Sequence, residues 1–62
     1  MKKIYEATID KYTFIMVDEN LIEVWLNTDD DYPITFIIVD PKKVRTEKDF
    51  QKEISWWFMD NG

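Results

Sequence analysis

Four short stretches rich in β-branched and aromatic residues alternate with polar breaks along the first two thirds of the chain. Their length and composition predict β-strands. The predicted strands are residues 3–9, 12–17, 21–26 and 34–39. The breaks at Asp10-Lys11, residues 18–20 and residues 27–33 contain Asp, Asn or Pro, which favour turns and loops. Consecutive strands with such short connections pair as an antiparallel meander.

The predicted strands differ in how their apolar residues are distributed. In the third strand, alternation places Ile22 and Val24 on one face and Glu23 and Trp25 on the other, as in a half-buried strand. The second strand and the fourth, whose sequence is ITFIIV, are apolar on both faces. Continuous apolar runs are typical of strands that are covered on both sides. We therefore expect the fourth strand to be central or covered on both faces.

Residues 46–60 have the periodicity of one amphipathic helix. Its apolar stripe consists of Phe50, Ile54, Trp57 and Phe58. Thr46 and Asp49 resemble a capping box, because the hydroxyl accepts a backbone N–H and the carboxylate lies at the positive end of the helix dipole. Asn61-Gly62 is suited to end the helix. We expect the stripe to cover one face of the sheet.

The predicted fold class is α+β, a four-stranded antiparallel β-meander followed by one C-terminal α-helix packed on one face (ββββα). Residues 1–62 are expected to form a single small domain, near the lower size at which a chain folds without a disulfide or metal. One helix covers one face, so the far face needs another cover. Either the amphipathic side chains of Tyr5, Tyr12 and Trp25 supply it, or another chain does.

Trp56 and Met59 lie outside the apolar stripe of the predicted helix. Each points roughly 120° or more away from Phe50 at about 100° per residue. One interpretation is that both shield the rim of the sheet while the indole N–H stays in water. The other is that they contact a partner or a second copy, because Trp is enriched at binding hot spots.

The residue types present argue against an enzyme. The chain has no Cys and no His, and Ser55 and Gly62 are its single Ser and Gly. Thiolate nucleophiles, Cys-ligated zinc, Ser–His pairs and glycine-rich phosphate loops are therefore excluded. Acid–base catalysis would need a buried carboxyl group, and Glu23 alternates onto a face that we expect to be solvated. We expect neither catalysis nor a cofactor.

The segment Thr28-Asp29-Asp30-Asp31 is the most conspicuous cluster of chemically active groups. Consecutive carboxylates bind hard cations such as calcium. The calcium-loop pattern, however, also requires a Gly and a distal Glu, which this segment lacks. We favour a solvated, self-repelling loop that protects the sheet edge, and we expect no metal site.

The formal charge of −5 is unevenly distributed. Residues 1–40 carry nine acidic side chains against three lysines, a net of −6, whereas residues 41–62 carry a net of +1. Phosphate repulsion opposes direct nucleic-acid binding by the acidic part, and the chain as a whole lacks the basic footprint of a nucleic-acid-binding protein. A protein with a basic surface would be attracted to it.

Two further features bear on location. The N-terminal sequence MKKIYEATID lacks the apolar core of a signal peptide, and no run approaches the roughly 18 apolar residues of a membrane span. We therefore expect no membrane association. The absence of Cys fits the cytoplasm.

These observations favour a non-enzymatic acidic protein that binds another protein. Its acidic contacts are expected at turns, from Asp18, Glu19, Asp29, Asp30 and Asp31, and its apolar contacts from Trp25, Trp56 and Met59. In size, acidity and lack of catalytic groups the chain resembles small phage or mobile-element inhibitors of host nucleases, such as anti-CRISPR and anti-restriction factors. That resemblance implies DNA mimicry against a nucleic-acid-handling protein in the host cytoplasm. The alternative is a self-associating structural or accessory domain, such as a homodimer or an antitoxin-like partner, with no inhibitory role.

Overall fold

A four-stranded sheet and one helix make up the structure, a computed structural model that describes residues 3–28 and 31–61. The elements in chain order are β1 (Tyr5–Ile9), β2 (Tyr12–Asp18), β3 (Leu21–Leu26), β4 (Thr35–Ile38) and α1 (Glu47–Asn61). The strands form one antiparallel sheet in the order β1-β2-β3-β4, and α1 packs on one of its faces. The predicted ββββα architecture is confirmed.

A tight turn fixes the register of the first hairpin. Ile9 pairs with Tyr12 across Asp10-Lys11, and Asp10 has a φ of 56°. The favoured two-residue hairpin turns need positive φ at the first central position, which Asp tolerates better than most residues with a Cβ. Further along β2, a β-bulge between Met16 and Asp18 shifts the pairing with β3 and ends the regular ladder.

The register brings alternate side chains of the strands together beneath α1. Phe14 lies opposite Val24, and Met16 lies opposite Ile22. The buried core of the described chain consists of Phe14, Met16, Ile22, Val24, Val39, Val44, Phe50 and Ile54. Each such side chain stabilises the fold by roughly 1.5–3 kcal/mol relative to exposure in water. All of these residues belong to the layer between the sheet and α1.

Aromatic rings hold α1 over β1 and β2. The ring centroid of Phe50 lies 5.5 Å from that of Tyr5, and the Trp57 ring lies 5.2 Å from Tyr12 and 5.5 Å from Phe14. The two Trp57 contacts are edge-to-face, an arrangement that aromatic quadrupoles favour. The predicted helical stripe is confirmed, with its first two members buried and its last two half-buried.

The structure excludes one of the two alternatives for the far face in the case of Tyr5 and Tyr12, and it shows that the prediction for the fourth strand is wrong. Tyr5 and Tyr12 do not cover the far face, because the register turns both toward the core under α1. β4 is neither central nor covered on both faces. In the described chain it pairs with β3 alone and lies at an edge of the sheet, with Phe36 and Ile38 exposed. A meander with short connections leaves its last strand at the edge.

Thr46 and Asp49 begin α1 much as the capping pattern predicts. The Asp49 N–H donates to Thr46 Oγ1 at 3.2 Å, and the Arg45 N–H donates to Asp49 Oδ2 at 3.1 Å. The carboxylate therefore reaches one residue further back than in a standard capping box. The hydrogen bond from the Arg45 backbone, assisted by Thr46 and by the charge of Lys52, lowers the pKa of Asp49 below its ordinary value of 3.8.

Phe50→Ala removes a fully buried ring that contacts Tyr5. We expect the free energy of unfolding to fall by about 3–5 kcal/mol, which is much of the roughly 5–15 kcal/mol available to a native domain. Thermal or urea denaturation followed by circular dichroism measures the loss. Trp56→Ala, on the exposed side of the same helix, is the control and should change stability by about 0.5 kcal/mol or less. Equal losses in the two variants would contradict the assigned core.

Asp49→Asn keeps an acceptor oxygen at the start of α1 but removes its charge. Because the folded pKa lies below the ordinary value of 3.8, ionised Asp49 stabilises the fold fully above that ordinary value, and this stabilisation disappears as pH falls through the folded pKa. We expect the wild-type melting temperature to exceed that of the variant at neutral pH and the difference to vanish in strong acid. A difference that stays constant across a melting series over this range would refute the role of the charge.

Candidate functional site

The far face of the sheet, opposite α1, carries the largest exposed apolar side chains within the described strands. Phe36 and Ile38 of β4 expose 52% and 73% of their surface there. Leu21 pairs with Ile38, and Ile15 and Phe36 both pair with Glu23 from opposite sides. We define the far-face patch as five apolar side chains of this surface: Ile15, Leu21, Trp25, Phe36 and Ile38.

Glu23 lies at the centre of the far-face patch. Its side chain is half-buried, and its Oε1 accepts a hydrogen bond of 3.0 Å from Trp25 Nε1. A carboxylate has two oxygens and about four acceptor positions, so one indole N–H leaves it capacity for further donors. When another surface covers the patch, this charge loses water and needs a cationic or N–H partner. The arrangement therefore suits a partner that brings Arg or Lys to Glu23.

The acidic residues predicted as contacts lie at two separate ends of the sheet. Asp18 and Glu19 are exposed in the β2–β3 turn, where the Glu19 N–H donates to Asp18 Oδ1 at 2.7 Å. Asp31 is exposed beyond the other end of β3. The six residues of β3 span about 17 Å at roughly 3.4 Å per residue. The structure thus does not bring these residues into one cluster, and the predicted contacts Asp29 and Asp30 lie outside the described residues.

The apolar residues predicted as contacts do not share one surface either. Trp25 lies in the far-face patch, whereas Trp56 and Met59 lie on α1, on the opposite side of the sheet, and expose 63% and 80% of their surface. Trp56 and Met59 are mostly in water and therefore shield little of the sheet rim. Trp25 is the one predicted apolar contact that joins the site described here.

Sequence reasoning missed Phe36 and Ile38 as surface residues. Both belong to the apolar run at residues 34–39, which is typical of a buried strand. The predicted strand order could have revealed their exposure. The last strand of a meander lies at an edge, so its side chains on the far face have no neighbouring strand on one side.

Residues 3–28 and 31–61 contain neither a metal site nor a pocket. Within these ranges no three or more His, Cys, Asp or Glu side chains are grouped to hold a metal ion, and no pocket is present. The helix of this part of the chain is neither long nor apolar enough to cross a membrane. In comparisons with known proteins, no family model, curated protein or solved structure matches the chain.

Ile38→Ser and Ile37→Ser change neighbouring residues that lie on opposite faces of β4. Because Ile38 is mostly exposed, we expect its replacement to change the free energy of unfolding by about 1 kcal/mol or less. Ile37 packs against the core, and its replacement should cost about 2 kcal/mol or more. Urea denaturation at low protein concentration measures both values. Similar losses would show that the far face is covered within the single chain.

Proposed function

We propose that this chain is a non-enzymatic binding protein that acts in the cytoplasm by covering a basic surface of a nucleic-acid-handling protein. The far-face patch with Glu23 at its centre is the observation that best supports this proposal. It combines exposed apolar area, which favours contact with another protein, with a carboxylate that needs a cationic or N–H partner once the area is covered, a need that Arg or Lys meets.

The dimensions of the molecule fit such a role. Its Cα extents are 32 × 28 × 15 Å, so the molecule is a slab with two broad sides, one that carries α1 and one that is the far face. The far-face side is comparable in area to the roughly 800 Å² that each partner contributes to a standard protein interface. Stable interfaces have an apolar centre and a polar rim, with Trp often among the residues that contribute most to binding. The far-face patch, which includes Trp25, corresponds to the apolar centre, and the acidic turns correspond to the polar rim.

The charge of the chain points to a basic partner. Asp18 and Glu19 flank the sheet at one end and Asp31 at the other, and the whole chain carries −5. Such a distribution steers a basic surface toward the slab and raises the association rate at low ionic strength. A partner Arg or Lys at Glu23 would then form a charge-assisted hydrogen bond shielded from water.

Inhibition by occlusion is the activity that follows from these contacts. Extended basic surfaces are characteristic of proteins that bind nucleic acid, and an acidic slab on such a surface excludes the phosphates of the natural ligand. We place the chain with phage or mobile-element inhibitors of the anti-CRISPR or anti-restriction type, acting by DNA mimicry. In this proposal the acidic groups at the two ends of β3 compete with phosphates, and the far-face patch supplies the apolar contact.

The test begins with capture of proteins from a cell lysate on the immobilised chain, and mass spectrometry identifies the protein that binds. The purified partner is then titrated with the chain in the presence of labelled duplex DNA. We expect the chain to displace the DNA, and we expect its affinity to fall at least about tenfold between roughly 50 and 200 mM salt. Capture of no nucleic-acid-binding protein, or capture without displacement of DNA, would contradict the proposal.

Two charge reversals of equal size locate the binding surface. Glu23→Lys inverts the charge at the centre of the far-face patch, and Asp60→Lys makes the same change on α1, on the other side of the slab. We expect Glu23→Lys to weaken partner binding at least about 30-fold and Asp60→Lys to change it less than about threefold. Circular dichroism verifies that both variants fold. Equal effects would show that binding depends on net charge rather than on the far face.

A further inference from the structure

The outer edge of β4 is open to pairing with another strand. Val39 N–H donates to Asn20 O at 2.9 Å, and Val24 pairs with Thr35. Hydrogen-bonding direction alternates along an antiparallel strand, so Thr35, Ile37 and Val39 direct their backbone groups toward β3, and the two residues that alternate with them direct their N–H and C=O groups away from it. These residues are Phe36 and Ile38, whose side chains also belong to the far-face patch. A strand added at this edge would form hydrogen bonds with their backbone N–H and C=O groups.

The two edges of the sheet differ in chemistry. On β1, the outer edge includes Glu6, whose Oε1 forms a 3.0 Å ion pair with Lys3 Nζ. Charged residues on an edge strand are a common protection against unwanted pairing. β4 has the sequence TFII, with no charge and no Pro within it. The aromatic contacts of α1 lie over β1 and β2, so they do not cover the β4 edge.

The charges on either side of β4 indicate which strand could pair with its open edge, and in which direction. Asp31 lies before the strand, whereas Asp40, Lys42 and Lys43 lie after it and together carry a net charge of +1, and all four side chains are exposed. A second copy of the strand running antiparallel places the acidic flank of each copy beside the basic flank of the other. The favourable pairing then occurs twice by symmetry. A parallel arrangement would instead place like charges together, which is unfavourable.

We propose that two copies of this chain pair antiparallel through β4 and form a continuous eight-stranded sheet about a two-fold axis. A register centred on Ile37 places Phe36 opposite Ile38 of the second copy, in two hydrogen-bonded pairs that exchange about four backbone bonds. The same antiparallel direction brings the segment before β4, which contains Asp31, near the turn after β4 of the second copy, which contains Lys43. Directly opposite residues in a sheet share a face, so both far faces lie on one side of the dimer. This inference is independent of the function proposed above.

Sedimentation velocity across a concentration series tests the dimer directly. We expect the mass to rise with concentration from 7.6 kDa toward twice that value. Ile38→Pro removes an outward N–H, which an edge strand tolerates within the monomer but an added strand needs, and should leave only monomer. Glu6→Pro makes the same change on the β1 edge and should dimerise as the wild type does. A wild-type chain that stays monomeric throughout the series, or dimerisation lost in Glu6→Pro and kept in Ile38→Pro, would overturn the proposal.

A charge exchange tests the register without altering the backbone. Lys43→Glu and Asp31→Lys each place like charges together at both flanks, and each should raise the dimer dissociation constant about 2- to 30-fold, as expected for two exposed pairs. The double variant Asp31→Lys/Lys43→Glu restores opposite charges and should return the constant to within about threefold of wild type. If the double variant dimerises no better than the single variants, the antiparallel β4 pairing is wrong. This result decides the matter even if Ile38→Pro fails to fold.

Discussion

The packing of Phe50 and Trp57 against β1 and β2 is the contact on which the rest of the structure depends. A four-stranded sheet of this size needs a layer on at least one face to be stable, and these two residues attach the single helix that supplies it. They also place α1 toward the β1 side, where it covers the rings of Tyr5 and Tyr12. Because one short helix covers so little, the far face and the β4 edge remain open to water, and both proposed interactions use these open surfaces.

Local periodicity predicted the elements, and tertiary context decided the rest. The alternation within β3 and the stripe along α1 each require one face to be buried, so the positions of Val24 and Phe50 followed directly from the sequence. The run at residues 34–39 carried no such information, because a strand that is apolar on both faces is compatible with a central position and with an exposed edge. Tyr5 and Tyr12 were ambiguous for another reason. An amphipathic ring suits either face of a sheet, and the register of the first hairpin determines which one it occupies.

In the candidate site, too, local sequence predicted some features and tertiary context decided the others. Acidic residues at turns were predictable, but successive turns of a meander lie at alternate ends of the sheet, so Asp18 and Asp31 are separated by the length of β3. The pairing of Trp25 Nε1 with Glu23 depends on side chains two residues apart on one face, which the alternation of β3 does predict. The contact of Glu23 with Phe36 across the strands depends on the register between β3 and β4, and no feature of either strand alone reveals it.

The far face and the β4 edge are physically linked, because Phe36 and Ile38 provide side chains to the first and backbone groups to the second. Pairing through the edge would therefore leave the far-face patch of each copy exposed, and the two patches would lie on the same side of one extended sheet. Two linked sites bind a two-fold partner or a long basic surface more tightly than either site alone. The net charge of −5 on each copy opposes this association. At physiological ionic strength, however, charges further apart than about 8 Å are largely screened, so in the proposed dimer the distributed repulsion would be weakened more than the attraction between opposite charges that lie close together at the flanks.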